Sequence, residues 1–161
     1  MIVVSDTSPL NYLLLVGAID VLPKLFRQVF APPEVIQELQ HPRTPEPVRR
    51  WAESPPEWLH ISTPSANAPL AAGLDPGEAQ AIALAIELRA AAVLIDEKKG
   101  RRIAKSHGLA TFGTITVLEL AAEQQLLDLK TSFDMLERTT FQITRALLEA
   151  ALERDTARKR D

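Results

Sequence analysis

Two short apolar runs, Ile2-Val3-Val4 and Ala91-Ala92-Val93-Leu94-Ile95, each lead to a carboxylate, the first through Ser5 to Asp6 and the second directly to Asp96. A run of this kind, without polar alternation, reads as a strand covered on both faces. Val29-Phe30 and Leu109 to Phe112 read as further strands and Trp58-Leu59-His60-Ile61 as another, with helical patterns between them. This alternation predicts an α/β fold with a mostly parallel sheet and helices on both faces.

The helical segments carry their own signals. Pro9 suits the first position of a helix starting at Ser8-Pro9, with Leu10, Leu13 and Leu14 at helical spacing and Gly17 as its stop. Asp20 is expected to cap a short helix through Phe26, and Pro33 to open one with Val35, Ile36 and Leu39 inward and Glu34 and Glu38 one turn apart. All twelve prolines lie at or before residue 76, ten of them between Ala31 and Pro76, so residues 41–76 read mostly as connection. Asp75-Pro76-Gly77-Glu78 marks a helix start, with Asp75 as N-cap and Glu78 at the third position. That helix should reach about Arg89 and pack through a narrow stripe of Ala79, Ile82, Ala83 and Ile86. A helix ending at Gly108 and another from Thr114 to Gln124 follow. Residues 1–128 form one expected domain, and 129–161 a helical extension packed on it or on a partner through Phe133, Met135, Leu136, Ile143, Leu147, Leu148 and Leu152. Arg154 to Asp161 read as a frayed charged end.

At 161 residues and 46% hydrophobic the chain can bury one real core. The net charge of −3 hides a split: residues 1–97 hold 6 basic and 12 acidic side chains, and residues 98–161 hold 12 and 9. Any anion site must therefore be local. Lack of cysteine excludes disulfides, thiolate metal sites and a Cys nucleophile, and suits the cytoplasm. The N-terminus reads without a positive leader, and no apolar stretch reaches the roughly 20 residues of a membrane span. His41, His60 and His107 form no zinc-protease pattern, and the serine-hydrolase elbow, the phosphate-binding loop and the dinucleotide fingerprint are missing.

In an open parallel sheet, ligands bind beyond the carboxyl ends of the strands, where Asp6 and Asp96 are expected. Glu38 and Glu78, each near a helix start, can reach the same rim. Four such acids repel one another unless protons or a divalent cation neutralise them, and an all-oxygen set of this kind suits Mg²⁺ or Mn²⁺. Plainer roles stand beside this one. Asp6 can cap the first helix, Glu78 fits a capping box, Glu38 can be a solvated charge with Glu34 as its rival, and Asp96 can be satisfied by partners or water, though a carboxylate ending an apolar strand is the hardest to explain this way. Five basic residues fall between Lys98 and Lys105, either a solvated helix face or a track for a polyanion, with Arg101 and Arg102 favoured for contact. Thr7, Ser8 and Thr114 can hold a ligating carboxylate or a water.

Val4-Ser5-Asp6-Thr7-Ser8-Pro9-Leu10, Pro33 through Leu39, Gly77-Glu78-Ala79-Gln80-Ala81, Leu94-Ile95-Asp96-Glu97-Lys98 through Arg101, and Gly108-Leu109 leading to Gly113-Thr114 together resemble the PIN-domain superfamily of nucleases, in its VapC-like prokaryotic branch. The resemblance covers roughly residues 2–128. It implies a three-layer α/β/α sandwich, a metal-binding set of Asp6, Glu38, Glu78 and Asp96 with Glu97 beside them, and Mg²⁺- or Mn²⁺-dependent hydrolysis of RNA. It also implies a homodimer and, in toxin–antitoxin pairs, an antitoxin protein seated in the acidic groove. Thr7, Ser8, Lys98, Arg101, Arg102 and Thr114 are then the substrate-facing set. Asp96-Glu97 stands where Asp-Asp is common, which leaves open whether one or two metals bind, and Ile115-Thr116 stands where a glycine is expected, so the loop there is expected to differ.

The leading expectation is therefore a metal-dependent endoribonuclease acting without a covalent intermediate, with Glu38 or Glu97 accepting the proton of the attacking water. A non-catalytic module that binds RNA or protein is the alternative, and a phosphoaspartate domain using Asp6 a distant third.

Overall fold

The computed structural model of the protein describes residues 1–65 and 72–161. Five strands, β1 (Ile2–Ser5), β2 (Gln28–Ala31), β3 (Leu59–Ile61), β4 (Ala92–Leu94) and β5 (Ala110–Phe112), form one sheet in the order β3-β2-β1-β4-β5. Every pairing is parallel, with Val3 opposite both Val29 and Ala92 and Ser5 opposite Leu94. The helices are α1 (Thr7–Leu15), α2 (Leu22–Leu25), α3 (Pro33–Leu39), α4 (Glu46–Glu53), α5 (Pro76–Leu88), α6 (Lys98–Ser106), α7 (Thr114–Glu123), α8 (Leu129–Glu137) and α9 (Arg145–Arg160). Among the described residues none is long and apolar enough to cross a membrane.

The apolar strands divide their side chains between two cores. Val3, Val29, Ala31, Ala92 and Leu94 face a cluster that includes Leu10 and Leu13 of α1 and Val117 and Leu118 of α7. Val4, Val93 and Ile95, one residue out of phase, face Ile82 and Leu84 of α5 and Ala104 of α6. Side chains alternate across a strand, so an uninterrupted apolar run is what a sheet covered on both faces requires. The result is the α/β/α sandwich.

The strand order fixes where a ligand crevice opens. From β1 the chain passes through α1 to β2 on one side, whereas β4 lies on the other side of β1 and leads through α6 to β5. Because α1 and α6 pack on opposite faces, the two connections diverge at the carboxyl ends of β1 and β4. Asp6 and Asp96 follow those two strand ends.

Several sequence expectations need correction. Asp20 caps nothing: it lies inside a 3-10 turn, Ile19–Val21, that runs directly into α2. Within the connection expected over 41–76, residues 66–71 lie outside the described residues, but α4 is a full helix whose Val48 and Ala52 are buried. Pro45 and Pro47 fall at its N-cap and in its first turn, where a missing N–H costs no helical bond. The buried surface of α5 is broader than the expected stripe. Ala81 to Ala85 are all buried while Ala79 and Ile86 are half-buried, because the helix packs against the sheet, α3 and α6 together.

The charged end is not frayed either. Helix α9 continues to Arg160, Asp155 is buried against Arg158 and Lys159, and Arg154 pairs with Glu119 of α7. Phe133, Leu136, Leu148 and Ala151 from α8 and α9 are buried in the same cluster as α1 and α7, while Met135 and Leu147 are exposed.

Candidate metal centre

Asp6 leaves the sheet at the end of β1, and its backbone N–H still donates to the Leu94 carbonyl at 2.9 Å. It occupies the N-cap position of α1, yet its side chain makes no capping hydrogen bond, so the local capping role is not taken up. Its Oδ1 is buried without a hydrogen-bond partner, and the residue is only 4% exposed. An ionised carboxylate in that position is costly. Burial pushes the Asp6 carboxyl up to about 8, with the charges of Asp75, Glu78 and Glu38 acting in the same direction and the Thr7 N–H opposing them.

Ligand oxygens of Asp6, Glu38 and Asp75 all lie within 4.8 Å of one another, the group of three that the described residues offer for a metal ion. Glu38 is held from two sides. Thr7 Oγ1 donates to its Oε2, and the Gly77 N–H, in the first turn of α5, donates to its Oε1 at 2.9 Å. A Cβ on Gly77 would run into both Glu38 carboxylate oxygens, so glycine permits the close approach. Asp75 and Glu78 form a reciprocal capping box, in which the Glu78 N–H donates to Asp75 Oδ1 at 2.8 Å and the Asp75 N–H to Glu78 Oε1. Glu78 Oε2 is buried without a partner and lies against Gly100 of α6. Burial, together with the hydrogen bond and charge of Asp75, raises the Glu78 carboxyl to about 7. The amino end of α5, whose Gly77 and Glu78 N–H groups donate to Glu38 and Asp75 and whose dipole is positive there, gathers this acidic set.

Asp96 stands apart from the trio and is fully engaged. Ser8 Oγ donates to its Oδ2 at 2.6 Å, the Thr114 N–H to Oδ1 at 2.7 Å and Thr114 Oγ1 to Oδ2 at 2.8 Å. These three donors fix the orientation of its carboxylate. Glu97 is exposed at the N-cap of α6 and makes no capping bond.

Two adjoining hollows meet here. The smaller, about 450 Å³, contains Asp6, Glu38 and Asp75, and the larger, about 600 Å³, contains Asp96, Lys98 and Arg101. Ser8, Tyr12 and Glu97 line both, whereas Arg102, exposed on α6, lines neither. Of the expected acidic residues, Asp6 and Glu38 come together with Asp75, which the sequence did not single out as a ligand; Glu78 pairs with Asp75 in the capping box, and Asp96 and Glu97 line the adjoining hollow. Asp75 was legible only as a helix cap. Its one hint was an Asp where Ser, Thr or Asn caps equally well. The hydroxyls of Thr7, Ser8 and Thr114 point at carboxylates.

The residues fit a hard divalent cation. Oxygen is the sole donor type, one buried oxygen lacks any partner, and two further carboxylates face it. Searches of curated proteins and of solved structures return no match. The family model DUF3368, described as a PIN domain, matches residues 2–156 and so takes in α8 and most of α9. With the fold, the acidic edge and this match in agreement, the chain belongs to the PIN-domain family.

Proposed function

We propose that the protein is an endoribonuclease that hydrolyses RNA phosphodiester bonds with Mg²⁺ or Mn²⁺ held by Asp6, Glu38 and Asp75. The observation that carries this reading is the buried, unpartnered Asp6 oxygen facing two other carboxylates at the sheet's switch point. A bound divalent ion there supplies charge neutralisation and Lewis acidity toward a phosphoryl oxygen.

The chain's own groups divide the remaining tasks. Thr7 and Gly77 hold Glu38 in place, and Ser8 and Thr114 hold Asp96, so all four are positioning residues. Asp96 lines the second hollow at a fixed orientation, and Glu78 steadies Asp75 through the capping box. Glu97, exposed between the hollows, accepts the proton of the attacking water. Lys98 and Arg101 neutralise the flanking phosphates, and Arg102 extends the basic face of α6. Because nothing here demands a nucleophilic side chain, hydrolysis is direct.

The test is incubation of the purified protein with a mixed RNA pool. Cleavage in Mn²⁺ or Mg²⁺, stopped by EDTA and lost in Asp6→Asn, is expected. RNA binding without cleavage would instead support a non-catalytic module. The VapC-like resemblance extends the proposal to a cytoplasmic homodimer acting as a toxin with an antitoxin partner; light scattering and co-purification with the product of an adjoining reading frame test those two points.

A further inference from the structure

The larger hollow has a composition that the metal centre does not need. One bank is cationic, formed by Lys98 and Arg101 of α6. The C-terminal part of the chain adds an apolar bank to a lining that also holds the carboxylates of Asp96, Glu97 and Glu119: Phe141 in the loop between α8 and α9, and Leu147 in the first turn of α9, which is 58% exposed. Two contacts fix that bank against the nuclease-like core. Tyr12 of α1 meets Phe141 edge to face with ring centres 4.9 Å apart, and its hydroxyl bonds Thr140 Oγ1 at 2.9 Å. At the other end, Arg154 of α9 engages both carboxylate oxygens of Glu119 on α7.

Unpaired nucleotides are recognised by this pairing of surfaces: a base lies on aromatic or aliphatic side chains while cations meet its phosphate. At about 600 Å³ the hollow is in the range of small-ligand sites, and it opens into the acidic hollow through Ser8, Tyr12 and Glu97. A base must leave its duplex stack to lie on such side chains. Gln142, exposed beside Phe141, offers a donor and an acceptor for a base edge.

We propose that this hollow is the subsite for one unpaired RNA nucleotide flanking the scissile phosphate, with its base against Phe141 and Leu147 and its phosphate at Lys98 and Arg101. The assignment rests on the ribonuclease reading for the word scissile, but binding alone can test it. A labelled single-stranded RNA carrying one abasic ribose, moved stepwise along the strand, is titrated by fluorescence anisotropy against the cleavage-silenced Asp6→Asn protein and against Asp6→Asn combined with Phe141→Ala. One abasic position should weaken binding roughly tenfold, and the Phe141→Ala protein should bind intact RNA that much more weakly while ignoring the abasic change. Equal tolerance of every abasic position, measured with Phe141 intact and so independent of how the Ala variant folds, overturns the subsite. So does undiminished sensitivity in Phe141→Ala. Wild-type protein with Mn²⁺ is run in parallel: RNA left uncut defeats the ribonuclease reading alone, and a persisting Phe141-dependent abasic effect would then keep the subsite as an RNA-binding site.

Discussion

Asp6 sets the energetic problem of the molecule. A folded-state carboxyl raised from 3.8 to about 8 holds its proton where the unfolded chain has lost it. Below the lower value both states are protonated and the group is neutral to stability. As pH rises through that window the unfolded state ionises first, so folding stability falls, and the loss is complete above the upper value. Four pKa units correspond to on the order of 5 kcal/mol. Metal-free wild-type protein should therefore melt at a clearly lower temperature at about pH 9 than at about pH 5, and Asp6→Asn should remove most of that difference. Thermal melts in chelator check this, and an unchanged pH slope in Asp6→Asn would show that the burial cost lies elsewhere. The plain reading of Asp6 as a helix cap was open from sequence alone, because only the fold reveals that its side chain makes no capping bond and that its Oδ1 lacks a partner.

The amino end of α5 combines two jobs in four residues. Asp75 caps the helix with one oxygen and faces Asp6 and Glu38 with its carboxylate, and Gly77 admits Glu38. These jobs can be separated. Asp75→Ser keeps a side-chain acceptor for the Glu78 N–H, so stability should stay within about 0.5 kcal/mol of wild type. Affinity for Mn²⁺ should nevertheless fall about tenfold or more, as expected when a ligand group is removed. Denaturation and a metal titration on the same variant decide it, and wild-type affinity would confine Asp75 to capping. The capping box itself was legible in Asp75-Pro76-Gly77-Glu78, as were β1 and β4, because each is written in a few adjacent residues. The helix α4 was not, since Pro45 and Pro47 mask a helix whose inward face is only Val48 and Ala52, and the role of Asp75 was hidden by the cap it also makes.

At the scale of the molecule, the strand order brings residues from β1, α3, α5 and β4 to one edge, and that meeting follows from topology rather than from any local motif. Sequence spacing could place Asp6 and Asp96 at strand ends, and the crossing of the chain from β3 back beside β1 makes those ends neighbours. It could not say which carboxylates come closest. The C-terminal helices bury Phe133, Leu136 and Leu148 in the core shared with α1 and α7. A chain cut after residue 128 should expose that face, lowering the melting temperature by roughly 10 °C or more and binding a hydrophobic dye, whereas an unchanged melt would mark residues 129–161 as dispensable for folding. The central claim is that the carboxylates of Asp6, Glu38 and Asp75 together hold a divalent cation. Titration of metal-free protein with Mn²⁺, following the free ion by electron paramagnetic resonance, measures this directly. Saturable binding by wild type that is lost in a folded Asp6→Asn protein is predicted, and equal affinity and stoichiometry in the two proteins would contradict it.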